Sequence, residues 1–337
     1  MEKVKFEITT STIIKIIIAI IAVWFIFAVR DVIFLFFIVI AIVSALGPIV
    51  DKMAKIIPRL LAMIIISLLF IALVAVIGYL LIPPLVSQIQ QLALGLPDYA
   101  TRYSPYYQNF KTVVTSSQQS LYEFSSQLGN ISGGIYSTTV GFITIIVAIL
   151  TVLVLSFYML LEQDAIRHFF HQTFPSEHKD KAVEVVQKIG YKMGSWLRGQ
   201  VLLMLTIGIL DGIALLALGV PYALTLAVWG GLIEVVPYVG PWLGLLPAAI
   251  IAFSISPLKA LLVIIIYIGI EQIESNIMVP KIMGKAVGLS PVIIILALLM
   301  GAKLAGLLGV FVAVPVAAAL SVVVQEWSEI RKIWENG

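Results

Sequence analysis

Charge is what this sequence has least of. Of its 337 residues only 12% are charged, about half the share of a soluble domain, while 61% are hydrophobic. Eighteen acids and 21 bases cannot cover a water-facing globule of this size. Disorder is excluded by the same shortage, because disordered chains are charge-rich and poor in apolar residues. Cysteine is absent, which removes disulfides, thiolate metal sites and redox motifs. The His-Glu-x-x-His, Gly-x-Ser-x-Gly and Gly-x-x-x-x-Gly-Lys-[Ser/Thr] motifs are absent too, so no hydrolase, no P-loop ATPase and no cofactor is implied. A net charge of +3 gives no ground for nucleic-acid binding. The chain reads as an all-α integral membrane protein, with the lipid bilayer as its first partner.

A membrane-crossing helix needs about 20 mostly apolar residues. Segments 13–29, 32–50, 60–82, 140–161, 199–219 and 258–278 are expected as full transmembrane helices. The first follows Lys3 and Lys5 like a signal sequence, yet it runs into Arg30-Asp31 rather than a small-residue cleavage motif, so an uncleaved span is expected. Lysine and arginine mark the cytoplasmic side. They cluster at Lys52, Lys55 and Arg59, from Arg167 to Arg198, and at Arg331 and Lys332, whereas 83–139 holds only Arg102 and Lys111. This distribution sets the expected layout in a cell inner membrane, with both termini cytoplasmic. Residues 1–82 form an N-terminal three-helix region, 83–139 an extracytoplasmic amphipathic segment and 140–161 a fourth helix. Residues 162–198 form a cytoplasmic amphipathic-helix loop, 199–326 a transport core and 327–337 a cytoplasmic tail.

Within that core, stretches 222–253 and 287–325 are too long for one span. Pro237, Tyr238, Gly240 and Pro241 break the first; Gly301 and Gly306, with Gly309 and Pro315 beyond, break the second. Each arm of the first is then about 15 residues, or roughly 22 Å, short of a core about 30 Å thick. Both stretches are expected as re-entrant hairpins, the alternative being pairs of kinked spans. Non-helical backbone at membrane depth is tolerated only inside protein or beside water, so the two turns point to a transport pathway. Pro221–Gly231 also aligns with Pro291–Gly301, sharing the Pro, a Leu-Ala pair and the final Gly, in the manner of an inverted repeat.

A charge at the bilayer centre costs about 2.5–3.5 kcal/mol. Asp211, Glu234, Glu271 and Lys303 fall within apolar stretches, with Glu274 nearer an end. They are candidates for coupling transport to H+ or Na+, or for static pairing, with Lys303 placed to meet Glu234 if the two turns converge. Asp211 sits between Gly208 and Gly212, a face another helix can approach closely. Glu271, Glu274 and Ser275 share one helical face, in a polar run that ends at Asn276. His168, His171 and His178 lie in a charged loop without nearby fixed ligands, and no metal site is read there.

Gly230–Pro241, Gly288-Leu-Ser290-Pro291, Gly301 to Gly309 and Ala313-Val-Pro315 resemble the autoinducer-2 exporter family of PerM-type permeases. The resemblance departs at Ala302, where a second glycine is expected. It implies a secondary transporter exporting a small polar molecule, autoinducer-2-like, on a proton or cation gradient. It also implies a homo-oligomer, with a pentamer as its form. A cation/proton antiporter, and a channel or scaffold without coupled transport, are the alternatives.

Overall fold

The computed structural model describes residues 10–73, 75–76, 135–162, 179–284 and 288–327, and these are helical almost throughout, with no strand among them. Lys3, Lys5, nearly all of 83–139, the three histidines and the 328–337 tail lie outside the described residues. Helices α1 (Thr10–Ala28) and α2 (Arg30–Met53) are separated only by Val29, and helical hydrogen bonds run through it, from the Val29 amide to the Phe25 carbonyl and from the Ile33 amide to the Val29 carbonyl. Helix α3 (Arg59–Leu73) and α4 (Ile135–Leu161) come after them. Next come α5 (Lys179–Ala217), α6 (Ala223–Ile233), α7 (Gly240–Ile255), α8 (Pro257–Ile273) and α9 (Pro291–Gln325). Helix α8 continues through a π-helical turn, Glu274–Met278, to Ile282. By length and composition α2, α5, α8 with its extension and α9 are apolar enough to cross a bilayer. This is an all-α integral membrane protein.

Apolar side chains cover its outside and also fill much of its interior, where small and polar residues join them. On α5, Leu205, Ile209, Ile213 and Leu216 are exposed, whereas Gln200, Ile207, Asp211 and Leu215 are buried. Lipid is as apolar as leucine, so close helix approach rests on small residues and polar contacts instead.

Helix α5 is the spine. The expected cytoplasmic helix within 162–198 and the expected span from 199 are, from Lys179, one 39-residue helix. Glycines 190, 194 and 199 do not break it, because each is a packing surface: Ser44 of α2 lies against Gly190 and Gly194, and Ile282 and Met283 against Gly199. Pro48 in α2 has no amide to offer the carbonyl of Ser44, four residues back. Arg198 of α5 supplies the donor, with Nη1 3.0 Å from that oxygen and 3.2 Å from the oxygen of Ala45. A side chain thus completes a helix that proline had left short of one bond.

Helix α6 runs back down the other face of α5. Gly208 meets the carbonyl of Ala227 and the backbone of Gly231, and Gly212 meets Ala227. Helix α7 returns alongside, with Gly244 against Gly230. At 11 and 16 residues, about 16 and 24 Å, neither arm reaches across a core about 30 Å thick. Helix α9 breaks at Ala305 and Gly306, where Gly306 has φ 57°. Its arms fold back until the backbones of Gly301 and Gly309 touch, so closely that a Cβ on either would collide with the other's carbonyl. Pro315 lies buried within the second arm and does not end it. Ala302 is exposed, so nothing at that position requires a second glycine. The second arm runs antiparallel to α5, held by Lys188 to Glu326 at 2.6 Å and Lys192 to Ser321 at 2.8 Å.

Candidate functional site

The backbone that links α6 to α7 is where the site begins. Residues 234–239 leave the helix because Pro237 has no amide and Tyr238 adopts φ 64°. Gly240 lets the chain re-enter, since a Cβ there would strike the backbone of Ile233 and Glu234. The turn comes to rest against α5, where Gln200 Nε2 donates to the Glu234 carbonyl at 2.6 Å. Val236 packs among Leu298, Ala313 and Val314 of α9 and Trp196 and Leu203 of α5.

Beside this turn is a cavity of about 270 Å³. Glu234, Pro237, Tyr238 and Pro241 wall it from the first hairpin, Glu271, Glu274 and Ser275 from α8, and Trp196, Gln200 and Leu203 from α5. Gly288, Leu289, Pro291, Ile294 and Val314 close it from α9 and its approach. Four elements therefore converge on one chamber, and three of them contribute acceptor oxygens.

The π turn is what presents Glu274. A π turn inserts an extra residue and rotates the rest of the helix beyond it, and such turns recur at functional sites. Glu274 is 6% exposed and lies against Glu234, itself 1% exposed. Asp211, 2% exposed, lies deeper. Its Oδ2 fills the place a side chain on Gly230 would take, and the Tyr267 hydroxyl faces it.

The structure thus brings Glu234, Glu271 and Glu274 to one chamber and sets Asp211 behind it. It does not bring Asn276, which is exposed and donates to the Gln272 carbonyl. Lys303 is a correction. The turn of the first hairpin lies beside the arms of the second, at Leu298, Ala313 and Val314, not beside its tip. Gly306 is eight residues from both Leu298 and Val314, about 12 Å along a helix. The hairpins overlap, and Lys303, exposed near the second tip, does not line the chamber and forms no ion pair with Glu234. Ser290 caps α9, its hydroxyl accepting from the Ile293 amide, with Pro291 at the first helical position. Gln200, Trp196 and Tyr267 were not expected. Gln200 opened an apolar stretch, where a polar residue reads as facing water, and two aromatic residues give no signal among so many apolar ones.

Residues 13–329 match the family described as AI-2E family transporter. The candidate transport protein YueF of Bacillus subtilis is 32% identical over 288 residues, covering 81% of this chain and 78% of its own. A second Bacillus subtilis candidate transport protein, YrrI, is 30% identical, covering 81% of this chain and 80% of its own. The candidate permease PerM of Escherichia coli K12 is 26% identical over 196 residues, 57% of this chain and 55% of its own. With a family match over nearly its whole length and broken hairpins around an acid-lined chamber, this chain belongs to the AI-2E family of membrane transporters.

Proposed function

We propose that this protein is a secondary transporter whose solute and coupling site is the chamber walled by Glu234, Glu271 and Glu274. The observation that carries this reading is the convergence of a broken hairpin, a π turn and buried acids on one cavity inside an otherwise apolar bundle. Buried acids in a membrane helix are costly and mark pathways for ions or protons. Glu234 and Glu274 both line the chamber, where a proton or cation taken up from one side is a load that can be exchanged on the other. With no P-loop motif, the energy comes from a proton or cation gradient. The cargo is a small polar molecule, and the direction is export.

Purified protein in proteoliposomes tests this. Saturable solute flux driven by an imposed pH gradient is expected. Asp211→Asn and Glu234→Gln, each keeping the side chain's shape, should leave an assembled protein whose flux has lost its pH dependence. Flux that rises linearly with solute and ignores the gradient would make the protein a channel, and pH dependence intact in both variants would reduce these acids to structural groups.

A further inference from the structure

Three oxygens of the chamber have no protein hydrogen-bond partner: Glu234 Oε2, Gln200 Oε1 and Glu271 Oε2. Glu234 and Gln200 are each 1% exposed. The Gln200 amide cannot be turned round, because its other end must donate to the Glu234 carbonyl. Its oxygen is therefore committed to the chamber. None of the described lining residues is Lys, Arg or His.

Carboxylate and amide oxygens only accept, and buried acceptors without partners are destabilising. The wall calls for a ligand that brings donors and few acceptors. An anion would meet carboxylates on two sides. A neutral polyol brings as many lone pairs as donors into a wall already rich in acceptors. Among the described residues, no three acidic or histidine side chains converge closely enough to hold a metal ion. An ammonium group has three donors and no acceptor, and its charge-assisted bonds are about 2.7–2.9 Å long. The rest of the chamber is apolar, with Leu203, Met283, Leu289, Ile294 and Val314, while Trp196 and Tyr238 add ring surface of the kind that attracts a cation. A volume of about 270 Å³ equals roughly nine waters at about 30 Å³ each, so the ligand is small.

We propose that this site takes a small primary ammonium compound, its head held by Glu234, Gln200 and Glu271 and its hydrocarbon stem lying among the apolar residues. This rests on the chamber being the solute site of a transporter.

Binding and flux, measured separately on the full chain, test it. Calorimetry on the purified protein would use butylammonium, with 1-butanol, butyrate and NaCl as comparisons. Butylammonium should bind at least tenfold more tightly than the alcohol or the acid. Glu271→Gln, at a half-buried position, should weaken it about tenfold, and Gln200→Leu likewise. Lys285 lies outside the described residues but between two that line the chamber, so Lys285→Gln is included and should bind at least as well. Equal or tighter binding of butanol or butyrate would overturn the proposal. So would Na+ displacing butylammonium while butylammonium fails to displace Na+, binding seen only in Lys285→Gln, or binding unaffected by both chamber variants. Gradient-driven flux of a neutral polyol but not of butylammonium would overturn the ammonium assignment and keep the transporter. Butylammonium binding without any flux would keep the ligand class and remove the transporter.

Discussion

Tyr238 holds a backbone conformation in which a Cβ crowds the following carbonyl, at a cost of about 1–2 kcal/mol. Non-glycine residues kept in this region cluster at ligand sites, and this one lines the chamber. Tyr238→Gly should raise the unfolding temperature or leave it unchanged while reducing flux, because it relaxes the turn and removes the ring. Tyr238→Val should lower both, since a β-branched side chain suits that region least. Thermal unfolding in detergent beside liposome flux separates the two effects; a glycine variant less stable than the parent would mean that the ring, not the backbone, sustains the turn. Asp211, Glu234, Glu271 and Glu274 were legible in the sequence because a charge within an apolar stretch must be explained. Gln200 was not, since one neutral amide at the edge of a span costs little on its own. Lys303 misled for a geometric reason: position along a helix says how deep a side chain lies, not which neighbour it faces.

Breaks in helices were easier to read than continuity. Two prolines and a glycine between residues 237 and 241, and glycines around 301–309, mark points where helical hydrogen bonding fails, and the structure turns at both. The unbroken course of α5 was hidden, because glycines that punctuate a soluble helix serve in a membrane as contact surfaces. Gly301→Leu should therefore cost about 1–3 kcal/mol by forcing the arms of α9 apart. The exposed neighbour Ala302→Leu should stay within about 0.5 kcal/mol. Equal losses in the two variants, read by thermal unfolding, would deny the close approach of the arms. The join between α2 and α5 allows a sharper test. Arg198→Ala strands the Ser44 carbonyl and should cost about 1–3 kcal/mol. In a Pro48→Ala background residue 48 regains an amide for that carbonyl, so the same substitution should cost measurably less. Additive losses would show that Arg198 does not serve the gap left by proline.

For the molecule as a whole, orientation is set by the basic segments. A chain without cysteine can carry one introduced thiol at a time with no background. A cysteine at position 116 should react with an impermeant reagent from outside the cell and one at position 181 only after the membrane is opened; the reverse pattern would invert the topology. The length of α5 has a mechanical consequence. Its 39 residues extend about 58 Å, against an apolar core about 30 Å thick, so a rod upright in that core would leave roughly 28 Å outside it. That projecting end is clasped by Lys188 and Lys192 to the last turns of α9, while the embedded end carries α6 on its glycine face. A rod gripped in this way is a lever. A tilt of about 10° would swing the projecting end by roughly 5 Å, and Gln200, bonded to the Glu234 carbonyl, lies on the same rod.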